Sequence, residues 1–288
     1  MFAAQLLAEP VAAHARTGHW ADNAKRALTT HWPEYMIEGL CLGTFMISAC
    51  AFSALLEHPA SPLRTSLMSA DVRRFLGGLA MGVTAILLIY SPMGQRSGAH
   101  MNPATTLTFY RLGKVEGWDA FFYILSQFAG GVLGTLVAFA VLGQTLAHRE
   151  VNFAITHPGM SGEAVAFAAE VFITFLLMTA ILNFSNSRKL ARYTGIAAGA
   201  LVMLFITFES PLSGMSMNPA RSFASDLVGM QWHGLWIYFI APLVGMFTAA
   251  ELFVRTRGLH SVICAKLNHS GSARCIFRCG FMAMPAET

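Results

Sequence analysis

Two eight-residue stretches decide the fold of this chain. They read Ser97-Gly98-Ala99-His100-Met101-Asn102-Pro103-Ala104 and Ser213-Gly214-Met215-Ser216-Met217-Asn218-Pro219-Ala220, and six of their eight positions are identical. A glycine follows each Asn at the same distance, at Gly113 and Gly229. Repetition of this kind indicates a chain built from two related halves, here about 34–143 and 163–255.

The composition places both halves in a lipid bilayer. Of the 288 residues, 55% are hydrophobic and 12% are charged, which is about half the charge of a soluble domain and excludes a soluble globular or disordered protein. Six apolar stretches are long enough to cross the hydrocarbon layer: about 34–56, 75–91, 118–143, 163–185, 192–209 and 234–255. Backbone groups in lipid must bond within their own segment, and the alternation typical of a barrel is weak. The sequence therefore predicts an all-α membrane protein with six transmembrane helices.

Lysine and arginine residues predict how these spans are oriented. Six spans place both termini on one side, and with the termini inside, 14 of the 19 basic residues fall on that side. This excess predicts a multi-pass protein of the cell (inner or plasma) membrane with both termini in the cytoplasm, although Arg73 and Arg74 beside the second span oppose it. The net charge of +4 thus reflects orientation and indicates no nucleic-acid partner.

Each Asn-Pro pair predicts the start of a short helix inside the membrane, because Asn is a strong N-cap and Pro is favoured at the first helical position. About ten helix-compatible residues follow each pair, enough to reach halfway across the bilayer. Three spans per half give the halves opposite orientations, so two half-helices are expected to meet at the midplane with their positive ends together. The segments before them, 97–101 and 213–217, are expected to be extended and to line a lumen with backbone, through Gly98, Ala99, His100, Gly214 and Ser216.

The paired Asn-Pro-Ala boxes, the Ser-Gly-Ala-His lead-in and the Asn-Pro-Ala-Arg of the second box resemble the aquaporin (major intrinsic protein) family. The resemblance implies six full helices and two re-entrant half-helices per subunit, one pore per subunit, and a homotetramer. It divides the chain into a cytoplasmic N-terminal extension at 1–33, an aquaporin-like channel domain at 34–255 and a cytoplasmic tail at 256–288. It also implies that Asn102 and Asn218 donate hydrogen bonds to a passing water and interrupt proton transfer. Structural roles are implied for Pro103, Ala104, Pro219, Ala220, Glu38 and Glu170.

Arg221 is a candidate for a selectivity constriction. It lies three residues after Asn218, where a charge in a membrane helix is costly unless it faces water or a partner. The resemblance implies three constriction partners, Met81, Ile206 and Met215, with Gly82 as the alternative to Met81. This set matches neither typical water pores nor typical glycerol pores. By the same resemblance, Ser222 and the aromatic pair Tyr238-Phe239 favour water, and Asp226 favours glycerol.

These features predict a passive channel that conducts water and excludes protons and ions, with glycerol or another small neutral solute as the alternative. A coupled transporter generally needs ionisable residues at the midplane, and only Arg221 and the two glutamates qualify. A membrane enzyme is less favoured still, since no catalytic set recurs in the spans. No cofactor is predicted.

The C-terminal tail carries a second set of reactive side chains: Cys264, His269, Cys275 and Cys279. Their spacing is not a standard zinc pattern. Three interpretations stay open: a metal site, unpaired thiols or an acylation site, and a tail without special chemistry whose Arg274 and Arg278 lie on anionic headgroups. The remaining cysteines, Cys41 and Cys50, lie in an apolar run, so no disulfide framework is expected.

Overall fold

The computed structural model describes residues 20–269 and 273–281, and all regular structure in those ranges is helical. Six helices are long and apolar enough to cross a membrane. They are α1 (Trp20–Glu57), α2 (Ala70–Tyr90), α4 (Gly117–Leu142), α5 (Glu163–Ser185), α6 (Thr194–Phe208) and α8 (Leu235–Arg257). Two half-helices, α3 (Pro103–Arg111) and α7 (Pro219–Gly229), lie between them. The predicted architecture of six transmembrane helices and two half-helices is confirmed.

The first helix begins earlier than predicted. Residues 20–33 of the predicted N-terminal extension belong to α1, and residues 1–19 lie outside the described residues. The ring of Trp20 lies 4.4 Å from that of Trp118, and His31 Nδ1 lies 2.8 Å from Asp119 Oδ1. These contacts with the start of α4 hold a polar segment helical, which the apolar pattern alone does not indicate.

Glycines set the spacing between the long helices. A Cβ atom added to Gly130 of α4 would lie 2.0 Å from the carbonyl oxygen of Gly39 in α1. In the same way, a Cβ on Gly82 of α2 would lie 2.5 Å from the carbonyl oxygen of Gly199 in α6. Small residues thus let α1 approach α4 and α2 approach α6 at backbone distance, as is common between membrane helices.

The half-helices are enclosed by the long helices. Helix α7 packs mainly on α4 and α3 packs on α8, so each half-helix contacts a long helix from the other half of the repeat. Pro103, Ala104, Pro219 and Ala220 at their starts are all buried. The starts of the half-helices therefore lie in the interior of the bundle.

Arg73, which opposed the predicted orientation, is held by local contacts. Its Nε atom lies 3.1 Å from Glu57 Oε2, and Nη1 donates to the carbonyl oxygens of Leu67 and Met68. The side chain is 5% exposed. An arginine neutralised in this way contributes little to the difference in positive charge between the two sides of the membrane.

Candidate functional site

Two loops lead into the half-helices, and each curls around a buried carboxylate. Short helices at Pro92–Ser97 and Ser210–Ser213 end at the loops. The expected extended backbone is wrong: left-handed φ angles occur at Gly98, Ala99 and Met101, and again at Gly214, Met215 and Met217. Backbone in which left-handed residues recur points successive N–H groups toward one place and forms an anion-binding concavity. The loops are therefore curled around the carboxylates instead of being extended.

Glu38 and Glu170 occupy these two concavities. Glu38 accepts hydrogen bonds from Ser97 Oγ, the N–H of His100 and the N–H of Met101, at 2.6–3.0 Å. Glu170 accepts the equivalent bonds from Ser213 Oγ, the N–H of Ser216 and the N–H of Met217, at 2.6–2.9 Å. Both carboxylates are fully buried. Each one therefore fixes the conformation of a pore loop.

Asn102 and Asn218 link the starts of the two half-helices. Asn102 caps α3 by accepting the N–H of Ala104, and Asn218 caps α7 by accepting the N–H groups of Ala220 and Arg221. Asn102 Nδ2 donates to the carbonyl oxygen of Met217 at 2.7 Å, and Asn218 Nδ2 donates to that of Met101 at 2.7 Å. These bonds use one amide hydrogen of each Asn, so the second is available to a guest molecule.

A cavity of about 120 Å³ runs past both Asn side chains. This space holds several water molecules, since one water needs about 10–15 Å³ by the same measure. Most predicted pore residues line the cavity: Asn102, Asn218, Arg221, Met81, Ile206, Met215, Ala99, His100 and Ser216. Gly98 and Gly214 do not line it, since they face Phe277 and His157. Gly82 packs on Gly199 instead, so of the two alternatives on α2 it is Met81 that lines the cavity.

Arg221 presents a positive charge to this cavity. Its backbone N–H donates to Asn218 Oδ1 at 3.2 Å. Its Nη1 atom is buried and has no hydrogen-bond partner within residues 20–269 and 273–281. The guanidinium thus retains donor capacity next to the lumen, where it repels cations and can bind a neutral polar guest.

Several lining residues were not predicted from the sequence. Apolar side chains from α1, α5 and α6 form much of the wall: Leu42, Phe45, Leu177, Ile181, Ala198 and Val202. Their apolar character does not distinguish them from the lipid-facing residues of the same helices. One further lining residue, Leu267, comes from the C-terminal tail.

The tail returns to the channel after α8. Residues 262–268 are mostly buried, and the N–H of Leu267 donates to the carbonyl oxygen of Gly98 at 3.1 Å. His100 Nε2 lies 2.9 Å from the carbonyl oxygen of Ala265, and the ring of Phe277 stacks on that of His100. We call residues 262–268 the tail segment, and the end of the cavity at Ala99, His100 and Leu267 the tail-side mouth.

The four tail side chains singled out in the sequence come together beside the tail segment. One ligand atom from each of Cys264, His269, Cys275 and Cys279 lies within 4.8 Å of all the others, and we call this set the Cys/His cluster. The hydrogen bond between Cys264 and Cys275 lowers the pKa of Cys275 and, together with burial, raises the pKa of Cys264. Burial, together with Lys266, lowers the pKa of His269 to about 4. A thiolate and a neutral imidazole are the forms that coordinate metals.

The fold and the site define a membrane channel: an inverted repeat, two half-helices meeting at their N-termini, and a cavity that passes between them. Comparison with known proteins agrees, because residues 25–253 match the family model of the major intrinsic protein family. The chain belongs to that family, whose members are passive channels rather than enzymes.

Individual relatives show the same affiliation. The chain is 35% identical over 173 residues to a probable aquaporin NIP4-2 of Arabidopsis thaliana, covering 60% of this chain and 59% of the relative. It is 34% identical over 188 residues to aquaporin NIP1-2 of the same plant, covering 63% of each. The chain thus spans about 60% of the length of these relatives. The aquaglyceroporin of Plasmodium falciparum has the same fold, with a TM-score of 0.67, 18% identity, and coverage of 78% of this chain and 96% of the other.

Proposed function

We propose that this protein is a passive channel for water that excludes protons and ions. The observation that carries the proposal is the position of the two Asn side chains. Each side-chain amide donates to the loop that precedes the other half-helix, and each lines the cavity. A water between them accepts hydrogen bonds from both sides and turns its own hydrogens away from the junction. The positive ends of two half-helices add a barrier to cations.

The constriction supports water as the main permeant. Met81, Ile206 and Met215 are large side chains that line the cavity together with Arg221. Ser222 is buried and bonds to Ser216 Oγ and Thr156 Oγ1. Asp226, the residue that favours glycerol in the sequence, is buried and does not line the cavity.

Glycerol or another small neutral solute is the second candidate, because the wall is mainly apolar apart from the polar groups at the Asn pair and Arg221. An apolar wall suits the carbon backbone of such a solute. Methionine is flexible, so rotation of Met81 or Met215 can widen the passage.

Coupled transport is not favoured by the contacts of the ionisable groups. Glu38 and Glu170 are committed to the pore loops by three or more hydrogen bonds each. A carboxylate held in this way cannot bind and release a coupling ion without unfolding its loop.

We further propose a homotetramer in the cell membrane with both termini in the cytoplasm. The tail supports a common side for the termini, because Arg274 Nη1 donates to the carbonyl oxygen of Thr30 near the start of α1. Chemical crosslinking in native membranes tests the tetramer, and protease access to the tail in sealed vesicles tests the orientation.

The conduction proposal is tested by stopped-flow light scattering on proteoliposomes. A gradient of an impermeant osmolyte gives the water permeability, and gradients of glycerol, urea and ammonia give solute permeabilities. We expect water flow above that of protein-free liposomes with a low activation energy. Flow equal to that of lipid alone, both with and without a metal chelator, contradicts the proposal. Faster entry of glycerol than of water selects the second candidate.

A further inference from the structure

We propose that the Cys/His cluster binds a soft divalent cation of the zinc class, and that the bound cation fastens the tail segment in the tail-side mouth so that the channel is closed. Neither the Asn pair nor the constriction requires the tail. The metal site stands independently, whereas the closing role rests on the proposed function.

The distances within the cluster suit tetrahedral coordination. Sulfur at about 2.3 Å and nitrogen at about 2.0–2.1 Å from a zinc ion give tetrahedral edges of roughly 3.6–3.8 Å. Cys264 Sγ lies 3.6 Å from Cys275 Sγ, and Cys279 Sγ lies 3.7 Å from His269 Nε2. With all four ligand atoms within 4.8 Å of one another, a cation at their centre needs only small side-chain adjustments.

The backbone around the cysteines suits thiolates. The N–H of Lys266 points at Cys264 Sγ and the N–H of Phe281 points at Cys279 Sγ, both at 3.5 Å. Two of the three sulfurs are thus approached by the N–H two residues further along the chain. Hydrogen bonds of this kind orient metal ligands and support the charge of a thiolate ligand.

The ligands come from both sides of the tail segment. Cys264 lies within it, His269 follows directly after it, and Cys275 and Cys279 come from the returning chain at 273–281. That returning chain is attached to the channel, because the N–H of Arg278 donates to the carbonyl oxygen of Lys114 at 3.0 Å. It also contacts the tail segment, since the N–H of Gly280 donates to the carbonyl oxygen of Ile263 at 2.9 Å. A cation at the cluster therefore joins the tail segment more firmly to the returning chain at 273–281, which is already bonded to Lys114.

The tail segment lies at the tail-side mouth. The side chain of Leu267 lines the cavity and is 4% exposed, and the carbonyl oxygen of Ala265 occupies His100 Nε2. An apolar side chain placed in a narrow aqueous path offers no hydrogen bonds to replace those of water. Release of the segment removes Leu267 from the path and frees the His100 ring.

Metal binding is tested on the full purified chain, reduced and stripped with a chelator, by titration with Zn²⁺ and then with Co²⁺. We expect about one ion per chain and the absorption of Co²⁺ in a tetrahedral thiolate site. Cys279→Ser is expected to weaken metal binding at least tenfold, because replacing even a residue that only supports a metal ligand lowers metal affinity by about that factor. The matched control is Cys50→Ser, a buried cysteine of α1 outside the cluster. Absence of stoichiometric binding, or equal binding by Cys279→Ser, overturns the site.

Closure is tested by water permeability of proteoliposomes with Zn²⁺ and with chelator present on both sides. We expect chelation to raise the permeability of the wild type several-fold and to have no effect on Cys279→Ser. Leu267→Ala leaves the ligands intact, so it is expected to bind Zn²⁺ normally and yet conduct when metal is bound. If the wild type conducts equally with and without metal, the closing role is wrong while the channel function stands. If no variant conducts in either condition, the channel function itself fails, and the closing role with it.

Discussion

The side-chain amide of Gln127 donates to Glu38 Oε2 at 3.0 Å, and this contact has no counterpart in the other half of the protein. The equivalent position on α8 is Pro242, which has no donor. Gln127 also donates to Thr106 Oγ1 at 3.1 Å. The carboxylate of the first pore loop is therefore more firmly held than that of the second, although the two loops have the same backbone form.

Replacing Glu38 with Gln is expected to destabilise the protein by about 3 kcal/mol or more. The amide group presents hydrogens to the N–H of His100 or Met101, and each buried donor left without an acceptor costs about 1–3 kcal/mol. Thermal or denaturant unfolding in detergent measures the effect. The matched control is Glu150→Gln, whose side chain is 45% exposed, and we expect no measurable change there. Equal stability of the two variants contradicts the structural role of Glu38.

Two glycines of α2 are expected to respond oppositely to substitution by alanine. A Cβ on Gly82 lies 2.5 Å from the carbonyl oxygen of Gly199, whereas a Cβ on Gly77 lies 3.6 Å from the nearest atom, in the side chain of Leu56. Gly82→Ala forces α2 and α6 apart, which costs about 1–3 kcal/mol. Gly77→Ala gains up to about 1 kcal/mol from helix propensity. A destabilised Gly77→Ala variant, or a neutral Gly82→Ala variant, contradicts this reading of the helix contact.

Much of the channel could be predicted from the sequence because its signals are local. Asn followed by Pro is an N-terminal helix signal wherever it occurs, and two copies in an inverted repeat place both half-helices. The family resemblance implies Met81, with Gly82 as the alternative, and the structure places Met81 at the cavity. The conformation of the loops was not predictable in this way, because it depends on Glu38 and Glu170, which are distant in sequence.

The tail shows where a sequence pattern gives no information. Cys264, His269, Cys275 and Cys279 were recognised as possible ligands, but nothing in their spacing predicts that Leu267 lines the cavity. That placement depends on backbone bonds to Gly98 and His100, which any residue type can make. The helical start at Trp20 was missed for a similar reason, since it depends on contact with Trp118.

Replacing Asn218 with Ser is expected to leave water flow largely intact and to admit protons. Serine also caps a helix, so α7 keeps its start, but the variant loses the amide that bonds to Met101 and faces the cavity. Proton entry is measured with a pH-sensitive dye in proteoliposomes under a pH gradient with the membrane potential clamped. Asn183→Ser is the control, because that Asn does not line the cavity and its side chain donates to the Thr179 carbonyl of its own helix. Proton entry equal to that of the control contradicts the role of the Asn pair.

Replacing Arg221 with Val is expected to admit larger and charged species. The substitution removes the positive charge and opens space next to Met81 and Met215, while the backbone N–H bond to Asn218 Oδ1 remains. Glycerol and small-cation permeabilities are compared with water permeability in the same proteoliposomes. Unchanged selectivity would show that this side chain is not part of the filter.

Met81→Ala separates the effect of cavity width on selectivity from the effect of the Arg221 charge. This variant keeps Arg221 and shortens one wall of the cavity, so glycerol permeability is expected to rise while cations stay excluded. The Ser48 hydroxyl loses a contact with Met81 Sδ at 3.8 Å but keeps its bond to Thr84 Oγ1 at 2.8 Å, so folding is expected to be preserved. If Arg221→Val excludes cations as fully as Met81→Ala does, the barrier to ions does not depend on Arg221 and must arise at the two half-helix termini.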